Sequence, residues 1–139
     1  MKRMVLPGFF LLGLFILTAC QSTNLAGAAG ANKRVTLTEK DNGGSIALAV
    51  NGVFLVQLAG NPSTGYIWEA DNLDVTHFRQ IGNYAFSADS HLAGASGLFT
   101  LTFKALSPGK AVLRLIYHRT FEKGVPPLKT FEVTVNIHN

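Results

Sequence analysis

From Lys33 onward apolar and polar residues alternate, and this period of two confines the chain to half-buried strands. In 130–138, Phe131, Val133, Val135 and Ile137 share one face. In 98–106, Leu98, Thr100 and Thr102 take one face, and Phe99, Leu101 and Phe103 take the other. Val35 and Leu37 alternate with Arg34, Thr36 and Thr38. Ile46, Leu48 and Val50 alternate with Ser45, Ala47 and Ala49. The segment 53–59 puts Phe54, Val56 and Leu58 on one side. A short strand is predicted at 66–70, a less regular one at 77–86, and another at 110–118 carrying Val112, Leu113, Leu115 and Ile116. No helix of ordinary length is predicted after residue 33.

Turn chemistry separates these strands. Asn51-Gly52 is a two-residue hairpin signal, and Ser107-Pro108-Gly109 is a turn. The predicted fold is all-β, an immunoglobulin-like antiparallel β-sandwich of seven to eight strands. Successive connections in such a sandwich mostly alternate between its two ends. The longer connections 61–66, 88–97 and 119–128 are every second one, so they are expected to share one end.

The first residues follow other rules. Met1-Lys2-Arg3 is basic, 5–17 is apolar and uncharged, and Leu17-Thr18-Ala19-Cys20 follows. This is the layout of a secretory signal peptide, and the apolar run is short for a membrane span. Cys20 is the only cysteine among 139 residues. The ending resembles the lipobox of bacterial lipoproteins, which implies cleavage before Cys20 and a lipid on it. Gln21 rather than Asp after the cysteine implies the outer membrane, if the cell is Gram-negative. The expected organisation is a signal peptide at 1–19, the lipidated cysteine and a flexible tether at 20–32, and one domain at 33–139. A coil of the tether's length spans about 19 Å. The domain is long enough for a core held by packing alone, because one cysteine forms no internal disulfide.

The formal charge of +4 falls to +2 when Lys2 and Arg3 are removed. No run of Lys and Arg occurs, so the surface is read as mixed and solvated, and no nucleic-acid partner is expected. Catalysis finds little support. His77, His91, His118 and His138 lack metal-ligand spacing, and Ser63 has no base near it in sequence. Asp71 with Asp74, or Asp89 beside His91, read as solvated loop residues. Gly94-Ala95-Ser96-Gly97 does not open a helix, as a phosphate loop must. No catalytic residue, metal or cofactor is expected, nor is enzymatic activity.

Binding is better supported. Asn61-Pro62-Ser63-Thr64-Gly65-Tyr66 is a slim, restrained loop without a long charged side chain, and Trp68 follows it. Such a loop enters a narrow cleft with little loss of entropy. Gly94 and Gly97 allow a second loop close backbone approach. The third opens with Tyr117, Arg119 and Phe121, the residue types that dominate binding energies.

These loops resemble those of the chagasin family, protein inhibitors of papain-like cysteine proteases, in order over about 44–139. The family's Asn-Pro-x-Thr-Gly-aromatic motif is complete at 61–66. Its Gly-x-Gly-Gly motif stands here as Gly94-Ala95-Ser96-Gly97. Its Arg-Pro-aromatic motif stands as Arg119-Thr120-Phe121. The resemblance implies an immunoglobulin-like fold and reversible, non-covalent inhibition of papain-family proteases by a monomer. It implies that the first loop wedges over the catalytic cysteine, with Thr64 nearest and the other loops against the cleft walls. The departure at Ser96 predicts strain in the second loop if that position needs a positive φ, the departure at Thr120 predicts a looser third loop, and together they predict weaker or altered target preference. Two other readings use the same residues: a cell-envelope module binding a glycan or envelope protein, and, less in keeping with the residues, an envelope hydrolase.

Overall fold

A computed structural model describes residues 34–139. The predicted signal peptide, Cys20 and the tether lie outside the described residues. Nine strands run β1 Val35–Leu37, β2 Ser45–Ala49, β3 Val53–Gly60, β4 Tyr66–Ala70, β5 Phe78–Gln80, β6 Ala85–Ala88, β7 Gly97–Ala105, β8 Gly109–Arg119 and β9 Lys129–His138. Helix among the described residues is limited to two single 3-10 turns, Glu39–Asp41 and Pro62–Thr64.

One sheet has the order β1-β3-β7-β5, with β6 also pairing β7, and the other has β2-β9-β8-β4. Pairing is antiparallel except at two edges, where β1 runs parallel to β3 and β2 parallel to β9. The predicted strand at 77–86 is two strands, because Gly82 at φ +66° turns the chain between β5 and β6. That raises the expected seven or eight strands to nine.

Asn51-Gly52 turns the chain as its residues predict, with Asn51 at φ +68°. It does not close a hairpin. β2 pairs with β9 and β3 with β7, so this turn carries the chain from one sheet to the other.

The core fills the space between the sheets with the inward residues of each strand. Phe54, Val56, Leu58, Phe99, Leu101 and Phe103 face Leu113, Leu115, Phe131, Val133 and Val135, all buried. Phe54 stacks on Phe103 with centroids 5.6 Å apart and meets Phe78 edge-on at 6.2 Å. Removing one such ring costs about 3–5 kcal/mol. In β8 the inward set is Ala111, Leu113, Leu115 and Tyr117, whereas Val112 is half exposed, as strict alternation requires. Among the described residues the core runs from Leu37 to Ile137, so a chain beginning at Gln21 retains all of it.

Candidate functional site

The first loop is built by its own short side chains. Asn61 caps the turn Pro62–Thr64, its Oδ1 accepting from the Ser63 amide at 3.0 Å and the Ser63 hydroxyl at 2.6 Å. The Thr64 hydroxyl donates to the Asn61 carbonyl at 2.6 Å. Pro62 sits at the start of the turn, where its missing N–H costs nothing. Gly65 ends the turn at φ +83°, a left-handed conformation costly for a residue with a Cβ. Ser63 and Thr64 are left exposed at the tip.

Two side chains tie this loop to the others. Asn61 Nδ2 donates to the Gly94 carbonyl at 2.8 Å. Arg119 Nε donates to the Thr64 carbonyl at 3.0 Å. The connections at 61–66, 88–97 and 119–128 therefore do share one end of the sandwich. Arg119 lies over the Tyr66 ring at 4.4 Å and pairs with Glu122 at 2.9 Å. The Glu122 hydrogen bond raises the Arg119 pKa further, so the guanidinium stays charged. The Phe121 ring packs beside Gly65 and is 68% exposed.

An aromatic block supports the loops from below. Tyr117 is stacked on Tyr66 at 5.1 Å and tilted against Trp68 at 5.2 Å. Its hydroxyl accepts from the Asn61 amide at 2.8 Å. Trp68 is buried, with Nε1 donating to the Ala59 carbonyl at 3.1 Å. Trp68 is thus a buttress beneath the loop and offers no surface to a partner, unlike the contact expected from sequence.

The second loop needs its two glycines for different reasons. Gly94 adopts φ +76°. Gly97 is buried in β7, where a Cβ would collide with the Ser87 carbonyl and the Ala88 backbone. Ser96 is not at positive φ, so the strain expected there is absent. Its carbonyl accepts from the Asp89 amide at 2.8 Å. Thr120 lies in a turn closed by the Glu122 amide donating to the Arg119 carbonyl at 3.1 Å. That bond and the Arg119–Glu122 pair restrain the turn without proline.

Sequence reasoning passed over Glu122 and Tyr117's hydroxyl role. Tyr117's hydroxyl acts on a residue 56 positions away, whereas Glu122, three residues from Arg119, is a local signal. Two of the acids considered for a dyad, Asp71 and Asp74, are engaged elsewhere. Asp71 pairs with Arg114 at 3.2 Å, and Asp74 with His77 at 2.8 Å. The His77 hydrogen bond lowers the Asp74 pKa, against a smaller opposing effect of burial. His118 pairs with Glu69 at 2.9 Å. Among the described residues no group of three or more His, Cys, Asp or Glu side chains could hold a metal ion. The arrangement offers a firm, slim convex tip flanked by glycine backbone on one side and an aromatic with a cation on the other.

A family model described as chagasin family peptidase inhibitor I42 matches residues 47–135. Amoebiasin-2 of Entamoeba histolytica is 31% identical over 104 residues, 73% of this chain and 83% of the relative. Amoebiasin-1 of the same organism is 26% identical over 106 residues, 74% of this chain and 99% of the relative. The crystal structure of a cysteine protease inhibitor from Entamoeba histolytica superposes with a TM-score of 0.65 at 28% identity, over 75% of this chain and 94% of that one.

Proposed function

The chain belongs to the chagasin family of peptidase inhibitors, and from that membership we propose that it is a reversible, non-covalent inhibitor of papain-like cysteine proteases. The observation that carries the mechanism is the bracing of the 61–66 loop to both neighbours by Asn61 and Arg119. A wedge held in shape before binding loses little conformational entropy in a cleft. Ser63 and Thr64 at its tip are narrow enough to reach the catalytic cysteine, and the tip offers no extended peptide aligned for attack. Gly94, Ala95 and Ser96 lie along one wall of the cleft, with Gly97 opening β7 behind them. Arg119, Thr120 and Phe121 serve the other wall, with Phe121 as the apolar contact.

The Leu17–Cys20 segment supports a lipid anchor on Cys20, with 20–32 as tether and 33–139 as the inhibitory domain. The protein is then an exported lipoprotein of the cell envelope, at the outer membrane in a Gram-negative cell.

The protein from Gln21 onward, titrated into papain against a small fluorogenic substrate, is expected to inhibit reversibly and in proportion to occupancy. Absence of inhibition at micromolar protein would contradict the reading. For the anchor, Cys20→Ala is expected to move the protein out of the membrane fraction of expressing cells. A variant still in that fraction would count against lipidation.

A further inference from the structure

Folding gathers cations that are scattered in sequence. The strands of the β1-β3-β7-β5 sheet and β6 contain no Asp or Glu. Phe78, Phe103 and Ala105 point inward and are buried, so Arg79 and Lys104 point outward. They are direct cross-strand partners, and Lys104 also pairs with Val53. Val35 pairs with Phe54, so Arg34, one residue earlier, falls level with Val53. Arg34, Lys104 and Arg79 thus form a row across one end of the outer face. At about 4.8 Å between strands, that row spans roughly 14 Å.

None of the three forms an ion pair or donates a side-chain hydrogen bond among the described residues, and residues 1–33 hold no carboxylate side chain. The carboxylates near this end are committed elsewhere, Asp74 to His77 and Asp71 to Arg114. Glu39, along the sheet's β1 edge, pairs with Lys129. Like charges directly opposite on a sheet destabilise it, so the Arg79–Lys104 pair calls for an anionic partner.

The position of the row identifies that partner. β3 runs from Val53, level with the row, to Gly60 beside the 61–66 loop. β1 is parallel to it, so the chain enters the domain at the row's end, opposite the loops. We infer that Arg34, Arg79 and Lys104 form a docking face for the anionic headgroups of a phospholipid membrane, at the end of the sheet remote from the three loops. Eight residues of β3 at about 3.3 Å each place the loops roughly 25 Å along the strands from the row. The inference extends the anchored-inhibitor reading but does not need the lipid on Cys20.

The test therefore uses the chain from Gln21 to Asn139 without lipid. It is floated with vesicles of phosphatidylcholine alone or with added phosphatidylglycerol, at low ionic strength. Each basic side chain at an anionic surface raises partitioning about fivefold. Coflotation is expected with phosphatidylglycerol only, lost at about 1 M salt where the screening length is about 3 Å. The double variant Arg79→Gln, Lys104→Gln is expected to bind roughly 25-fold more weakly and to inhibit papain as the parent does. Lys104→Glu, which sets a carboxylate opposite Arg79, is expected to raise the melting temperature while reducing coflotation, so lost binding is not lost folding. Equal flotation of parent and double variant would overturn the inference, as would indifference to phosphatidylglycerol. Duplex DNA outcompeting the vesicles would overturn it too, by assigning the row to nucleic acid. The Cys20→Ala fractionation, made after a wash at about 1 M salt that strips charge-held protein, reports on the anchor alone, so the two readings fail separately.

Discussion

Asn61 commits every polar atom it has to the loop cluster: its side chain to Ser63 and Gly94, its amide to Tyr117, its carbonyl to Thr64. Asn61→Ala removes the cap, worth about 1 kcal/mol, and with it the link to the second loop. Inhibition of papain is expected to weaken by about tenfold, the equivalent of about 1.4 kcal/mol. Asn61→Asp keeps the acceptor for Ser63 but sets a carboxylate oxygen against the Gly94 carbonyl. It is expected to weaken inhibition as well, and an inhibition constant equal to the parent's would show that the Gly94 link is idle. The restrained turn at 61–66 was legible in sequence from its residue types, whereas the cap that Asn61 places on it emerges only from the folded geometry. The bond from Asn61 to Gly94 was not legible either, because that partner lies 33 residues away. Trp68 shows the opposite limit. An aromatic two residues past the motif reads as a contact, yet strand alternation turns it into the core.

Strands were the most legible level, because alternation is a local property that burial on one face enforces. Pairing was not local. Asn51-Gly52 specifies a reversal, but which sheet receives the next strand depends on β9 and β7, far along the chain. The second loop gives a test at this scale. Gly97→Ala drives a Cβ into the Ser87 carbonyl and is expected to cost about 1–3 kcal/mol of stability. Gly94→Ala meets open space apart from Ser63 Oγ at 3.6 Å, and costs only the left-handed strain of about 1–2 kcal/mol. Chemical denaturation of the two variants measures both. Hydrogen exchange is expected to rise at the β6–β7 pairing in Gly97→Ala only. At the opposite end, the Asp74–His77 pair makes the 71–77 turn acid-sensitive. Asp74's folded pKa lies below its ordinary value of 3.8. The stability it contributes is therefore present above that value and is lost as pH falls through the lowered one. Melting temperature from pH 5 to pH 2 is expected to fall less steeply in Asp74→Asn than in the parent.

The whole molecule divides its work between two ends. One end carries three braced loops, with no charged side chain on the 61–66 tip. The other receives the chain and carries cations without an ion pair among the described residues. The charge division was invisible in sequence, where Arg34, Arg79 and Lys104 are separated by 45 and 25 residues of mixed composition. Only the register of β1, β3, β5 and β7 sets them in a row. The loop cluster was more legible, because strand counting assigns connections to ends without any contact being known. Inhibition by a wedge depends on the 61–66 tip standing over the protease nucleophile. Alkylation of papain's catalytic cysteine by iodoacetamide measures that occlusion directly. With saturating protein the alkylation rate is predicted to collapse, and Thr64→Arg, whose long charged side chain no longer fits the cleft, is predicted to restore it. Alkylation at the free-enzyme rate while the complex is fully formed would contradict the wedge mechanism.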